Sequence, residues 1–302
     1  LRDADNSPGW YAVVKKGSGG SLWPGASLQR SWDGTAYTEV ASYTDRAVFG
    51  VTESVLGNWD GTNAFDEWSS VQVNVGDGQL SSSTRTDMLA DLTINVMLVG
   101  NEVIRFRTAT MVSAGVYVLT GLIRCFRGTQ WAGTGHAVAE RAVLLGVSGT
   151  RRISSEAAQI NVSRYIEAVT FNKPLSSATP ETFTDTGIAL KPFAAADLRI
   201  ARDSSGNITG TFKRMTRLSF RFLSEGIDPP LGEAAELYDA VIYTDNTYTT
   251  VKRTIASLTS AQFTYSAADQ TSDFGSLQAT VYTRIYQRSA VVGRGYALQG
   301  AG

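Results

Sequence analysis

The sequence holds one cysteine, one histidine and only seven prolines in 302 residues, and its 27 Lys+Arg nearly cancel its 28 Asp+Glu. A lone cysteine, Cys125, cannot close an intrachain disulfide, so stability has to come from packing, strand pairing or oligomerisation. With His136 as the sole imidazole, zinc sites of the common Cys/His types are excluded. A calcium loop of the D-x-[DN]-x-[DN]-G type is also absent, and no metal or cofactor is expected. The formal charge of -1 is spread along the chain. That balance argues against dedicated nucleic-acid binding, which needs a basic stripe to displace counterions, although a neutral channel for passing nucleic acid stays open. No run of about 18 apolar residues is available to cross a bilayer as a helix. The chain opens at Leu1 without a charged-then-apolar leader, which reads as the C-terminal portion of a longer polypeptide.

What is present is glycine, 29 residues of it, between short segments rich in Thr, Ser, Val, Tyr and Phe. Such a composition predicts an all-β protein of many short strands divided by turns. Residues 1–150 read as a β-rich domain. Turn pairs such as Pro24-Gly25, Asp33-Gly34 and Asp60-Gly61 separate candidate strands at Trp10 to Lys15, Ser27 to Trp32 and Arg46 to Thr52. Val71, Val73 and Val75 alternate with Gln72 and Asn74, the signature of a half-buried strand. Gly100-Asn101 and Ser113-Ala114-Gly115 then mark two hairpins, so a sheet or barrel-like meander is expected. Residues 151–190 read as a connector with short strands. From residue 191 to 302, eight candidate strands predict a fibronectin type III-like sandwich. They are Asp197 to Arg202, Asn207 to Lys213, Arg217 to Phe222, Glu236 to Tyr243, Val251 to Ser257, Gln262 to Ser266, Leu277 to Gln287 and Tyr296 to Gln299. Leu277, Val281 and Ile285 are expected to share one apolar face there.

Chemistry would be sought first in Gly121 to Val147, which contains both Cys125 and His136. The stretch reads as a strand from Tyr117 to Phe126, a turn at Arg127-Gly128-Thr129 and a returning strand from Ala142 to Val147. A thiol inside an apolar strand behaves as a small hydrophobe, and no G-x-S-x-G elbow accompanies it, so no catalytic residue is assigned. His136, in Gly-Thr-Gly-His, is expected to be a turn residue whose ring bonds to backbone. Glu233 and Glu236 resemble a glycosidase carboxylate pair in spacing, but the start of a solvated strand after Pro229-Pro230 is the preferred reading. Trp10, Trp23, Trp32 and Trp59, followed by Trp68, could form a sugar-stacking platform, or could fill a β core or interface, which is the preferred reading. Trp32 and Trp59 are the candidate ligand or host contacts.

Several blocks resemble the C-terminal region of the tail-tip hub, or central fibre, proteins of long-tailed phages and gene transfer agents. Leu122-Ile-Arg-Cys-Phe-Arg-Gly-Thr-Gln130, His136 and Arg141-Ala-Val-Leu-Leu145 look like that family's LLRGxxGTE…H…GE-x-F-V-L-L signature. Trp23-Pro24-Gly25-Ala26 with Ser31, Gly78 to Ser82, Gly100 to Ile104 with Phe106, and in the last module Leu231-Gly-Glu233, Asp273-Phe274-Gly275 and Val291 to Gly295 match further blocks in order. Cys125 stands where the family usually has Gly, and Gln130 where it has an acid.

The resemblance implies a non-enzymatic virion protein at the distal end of the tail. It would be a homotrimer touching the distal tail and baseplate proteins and engaging the host through a surface receptor or glycan. A glycan- or receptor-binding module of a tail fibre or bacterial surface protein is the alternative.

Overall fold

The computed structural model describes residues 6–15, 23–62, 64–218 and 229–302. Two compact units divide the chain, one comprising Gly9–Thr186 and the other containing Gly187–Gly302. In chain order the first carries β1 (Gly9–Val13), β2 (Ala26–Ser31), β3 (Thr38–Tyr43), β4 (Phe49–Thr52), β5 (Val71–Asn74) and a short helix α1 (Arg85–Ala90). It continues with β6 (Val96–Val99), β7 (Glu102–Ser113), β8 (Val116–Ile123), β9 (Arg141–Leu144), β10 (Thr150–Ser154), β11 (Ser163–Thr170) and β12 (Glu181–Thr184). The second carries β13 (Ala196–Arg202), β14 (Ile208–Lys213), β15 (Tyr238–Tyr243), β16 (Val251–Leu258), β17 (Gln262–Tyr265), α2 (Ala267–Phe274), β18 (Tyr282–Ser289) and β19 (Gly293–Ala301).

A closed six-stranded barrel in the order β4-β5-β8-β7-β6-β9 dominates the first unit. Its interior follows from the period-2 pattern. Val71 and Val73 point inward with no exposed surface, while the outward amides of Gln72 and Asn74 each donate to Glu53 at 2.7 Å. Both expected hairpins form, Val99 pairing with Glu102 across the first turn and Ser113 with Val116 across the second. Gly115, at φ +75°, leaves no room for a side chain, since a Cβ there would lie 2.0 Å from the Gly76 carbonyl oxygen. Leu56, Met97, Val99, Ile104, Phe106, Leu119 and Leu122 fill the barrel.

The expected hairpin through Arg127-Gly128-Thr129 does not form. Both edges of β8 are taken by β5 and β7, so β9 pairs with β4 and β6 and closes the cylinder. Closure removes the edges that an open sheet would expose. The strand expected to reach Phe126 ends at Ile123, because Cys125 and Arg127 take left-handed backbone at φ +52° and +58°.

Residues 151–190 are not a free-standing connector. β10 pairs with β1, setting Trp10 opposite Ile153, and β11 and β12 extend the sheet of β2 and β3 in the order β12-β11-β2-β3. Trp10, Leu28, Tyr43 and Ile153 form the core beneath these strands. The N-terminal strands have an apolar side and unpaired edges, and the chain that follows the barrel supplies what covers them.

The second unit is a sandwich of a three-stranded sheet, β13-β14-β17, and a four-stranded sheet, β16-β15-β18-β19. Ile208, Phe212 and Phe263 from one sheet meet Tyr238, Ala240, Ile242 and Ile285 from the other in one core, and the fold is fibronectin type III-like as expected. Leu277 is the exception on the expected apolar face. Helix α2 intervenes before it and leaves it 49% exposed, while Val281 and Ile285 are buried. Most of the strand expected at Arg217 to Phe222 lies outside the described residues.

Candidate functional site

The loop between β8 and β9 folds over one end of the barrel and buries a cluster of charges. Glu102, the first residue of β7, is fully buried, and its carboxylate takes a two-pronged bond from Arg124, Nε to Oε1 and Nη2 to Oε2, both at 2.8 Å. The Cys125 amide donates to the same Oε1 at 2.7 Å. His136 lies 2.8 Å from Glu102 Oε2 through Nε2 and 2.7 Å from Glu140 Oε2 through Nδ1. Asp66 approaches Arg124 at 3.6 Å, and Asp66 and Leu122 exchange backbone hydrogen bonds. The side chains of Arg124 and His136 are 1% and 3% exposed.

Burying a carboxylate and a guanidinium is costly unless both are paired and saturated with hydrogen bonds. Here the pairing is bidentate and Glu102 accepts four contacts, while Arg124 Nη1 makes no hydrogen bond and faces Asp66 Oδ2 at 3.6 Å. The cluster therefore acts as a clasp that ties the start of β7, the end of β8 and the loop before β9. Ionised carboxylates only accept, so an imidazolium donates to both Glu102 and Glu140, whereas a neutral ring sets a lone pair against one of them. The expectation that the His136 ring bonds to backbone is corrected: it bonds to two carboxylates.

This arrangement leaves little for catalysis. Both ring nitrogens are occupied, and the buried thiol of Cys125 is pushed well above the ordinary cysteine range, chiefly by desolvation with Glu102 adding to it. Cys125 and His136 share the clasp through Glu102 and not through each other. Among the described residues no group of three His, Cys, Asp or Glu is placed to hold a metal ion.

The two candidate tryptophans sit on different parts of the unit. Trp32, at the end of β2, is 43% exposed, but its ring is engaged by two guanidiniums, Arg164 at 4.9 Å and Arg30 at 5.0 Å from its centroid. Trp59 is half-buried in the loop after β4, its indole donating to the Thr62 carbonyl at 2.8 Å and its amide to Gly133 at 2.7 Å. The most exposed tryptophan is one not singled out, Trp68, at 94%. Glu233 and Glu236 are each committed to an arginine, Arg217 at 3.1 Å and Arg214 at 3.3 Å, and Glu236 also accepts from the Tyr238 hydroxyl at 2.7 Å.

Sequence reasoning missed Glu102 and Arg124 because each looks ordinary where it stands, one beside a hairpin turn and one at a strand end. The usable signal is the four-residue spacing of His136 and Glu140 together with an arginine inside the apolar run Gly121 to Phe126.

No curated protein matches the chain. Among solved structures, the rat CD45 extracellular region, domains d3-d4, aligns over 48% of this chain at 11% identity with a TM-score of 0.27. The aligned part spans 64% of that structure's length. Residues 47–143 match the family model described as Rcc01698-like, C-terminal, so the part of this chain that carries a family match is the barrel together with its clasp.

Proposed function

We propose that this chain is the C-terminal, β-rich part of a tail-tip hub, or central fibre, of a long-tailed phage-like particle or gene transfer agent, working by assembly and host contact. The observation that carries this reading is that several of the blocks on which the resemblance rests, those between Gly100 and Leu145, converge in the barrel. Gly100 to Ile104 supplies the β6–β7 turn and Glu102, Leu122 to Gln130 supplies Arg124, His136 bridges two carboxylates, and Arg141 to Leu145 supplies β9. The family-model match falls on the same span.

In this role the chain is a homotrimer at the distal end of the tail, in contact with distal tail and baseplate proteins and with a host receptor or glycan, and it works without turnover. Cyclic symmetry suits such a protein, because apolar surface of one copy is covered by the next. Trp68 and the Met111–Val112 tip of the β7–β8 hairpin, at 57% and 54% exposed, are surface of that kind. Light scattering on the purified chain and cryo-electron microscopy of tail particles test the reading. A trimer whose density fits the tail tip is expected; a monomer at high concentration, absent from tail particles, overturns it.

A further inference from the structure

The four-stranded sheet of the sandwich has a face turned away from the core, and the alternation along β18 sets its chemistry. Thr283, Ile285 and Gln287 are buried, so Tyr282, Arg284, Tyr286 and Arg288 lie on the outer side. Residues paired across strands share a side. Asp239 and Tyr243 of β15, opposite Tyr286 and Tyr282, therefore join them, as does Arg294 of β19, opposite Arg288.

At one end of this face two arginines share one carboxylate. Asp239, its side chain 3% exposed, accepts from Arg294 Nε at 2.7 Å and faces Arg288 Nη1 at 3.6 Å. Like charges directly opposite each other on a sheet repel, and a single acid leaves this pair one positive charge in excess. Among the described residues Arg288 makes no side-chain hydrogen bond and Arg294 makes only the one through Nε. Their side chains are 38% and 43% exposed, so most of their N–H donors are left for solvent or a ligand.

These cations are also held in place. Arg294 lies 5.1 Å from the centroid of the Tyr286 ring. Farther along β18, Arg284 lies 4.9 Å and 5.3 Å from the rings of Tyr248 and Tyr243, and its Nε donates to Gln299 Oε1 at 2.8 Å. A guanidinium resting on an aromatic ring keeps its planar fork oriented, so less freedom is lost when the fork takes up an anion. Arg284 and Arg288 are four residues apart on one strand, about 13 Å, and the face presents fixed positive points in a row.

The partner is narrowed by charge and by what the face lacks. Arginine forks match the paired oxygens of a carboxylate. The single excess charge at Arg288 and Arg294 suits one monoanion, and Arg284 suits a second farther along, which calls for a polymer. Stacked bases are disfavoured, because the tyrosine rings are taken up by the guanidiniums and by edge contacts of Tyr248 with Tyr243 and Tyr282 at 5.5 and 6.1 Å. Val241, opposite Arg284, is buried and offers a protein partner no apolar anchor. A hydrated sugar chain needs none, and brings carboxylates to the forks and hydroxyls to the phenols.

We propose that this face binds an acidic, carboxylate-bearing polysaccharide, with Arg288 and Arg294 gripping one uronate and Arg284 another. The proposal gives a chemical class to the host glycan of the tail-tip reading and rests on that reading for its source. Binding is measured on the purified chain, so it can fail while a trimer at the tail tip stands, and the reverse.

Calorimetry on the whole 302-residue chain tests it, with polygalacturonate as probe and dextran, poly-L-glutamate and single-stranded DNA as controls. Polygalacturonate is expected to bind most tightly, and Arg288→Gln to weaken it about tenfold, the worth of one charge-assisted hydrogen bond. Because Arg288 makes no side-chain hydrogen bond, that variant should keep the wild-type melting temperature. The double change Arg288→Lys with Arg294→Lys keeps the charge beside Asp239 but loses the forks, and should weaken binding comparably. Arg199→Gln, at an arginine 77% exposed on β13, leaves binding unchanged. No binding of polygalacturonate, binding of any control as tight, or binding unaltered by either the Arg288→Gln or the double-lysine change overturns the proposal.

Discussion

Two glutamates of the first unit are buried to nearly the same degree and treated in opposite ways. Glu102, in the barrel, accepts from Arg124, the Cys125 amide and His136. Glu167, in the β12-β11-β2-β3 sheet, has an oxygen with no partner, and burial raises its carboxyl above the ordinary range. A buried charge that is fully bonded holds structure together. One left open destabilises its surroundings. The contrast separates a bonded from an unbonded buried carboxylate more sharply than residue type does, since both are glutamates on strands.

The comparison can be broken most forcefully at the clasp. Glu102→Ala leaves Arg124 buried without its carboxylate and should cost about 3–5 kcal/mol in urea denaturation. The double change Glu102→Leu with Arg124→Met should recover much of that loss, because an apolar pair of similar volume avoids the desolvation cost. If the single change proves harmless, the clasp is not what holds the loop.

A smaller loss is expected from His136→Ala. Glu102 keeps its bidentate arginine there, so removing the ring should cost about 1–3 kcal/mol, mainly through the bonds lost by the two carboxylates. Chemical denaturation side by side with Glu102→Ala gives the order directly.

At the sheet the sign reverses. A folded-state pKa raised above the unfolded value means that the folded chain holds its proton more tightly. Stability from Glu167 is thus fully present below its ordinary value of 4.5 and falls as pH rises through the higher folded value. Glu167→Gln removes that loss, so the variant should match the wild type in acid and melt a few degrees higher at neutral pH. Melting curves across the pH range check it, and a variant less stable than wild type at pH 7 would mean that Glu167 is paired after all.

The smallest effect should come from Cys125→Gly. Its left-handed φ of +52° costs a non-glycine residue about 1–2 kcal/mol, and the lost burial of a small thiol offsets this, so a net change within about 1 kcal/mol is expected by denaturation. The same backbone angle accounts for glycine at this position in the resembling family.

Local patterns carried much of the fold. The Val71, Val73, Val75 alternation and the turns at Gly100 and Gly115 are written in neighbouring residues, and the structure forms them. The sandwich strands were legible for the same reason. What was not legible depends on distant partners: β9 goes to β4 and β6 because β8 is already full, and no pattern near Arg127 reports that. Helix α1, six residues long, is too short to display periodicity; it is held by the Thr84 side chain at its start and by Arg105, whose Nη2 bonds the Met88 and Asp91 carbonyls at its end. At the clasp, His136 was visible but its partners were not, since Glu102 lies 34 residues away in sequence. Glu167 and Gln29 are farther apart still in sequence, and only strand register sets them side by side.

The barrel is inserted into another structure, between the strands β1 to β3 and their partners β10 to β12, and this shapes how the chain can fold. Each flank alone is half a sheet. Trp10 cannot meet Ile153 until more than a hundred further residues have been made, a closure that is slow for a free chain. The barrel shortens that search, because its own closure sets Phe49 beside Val143 and so delivers the two flanks side by side. It folds from one contiguous stretch and can form first, after which the outer strands have only a short gap to cross. In this protein the central module is the template on which the ends of its own unit find each other.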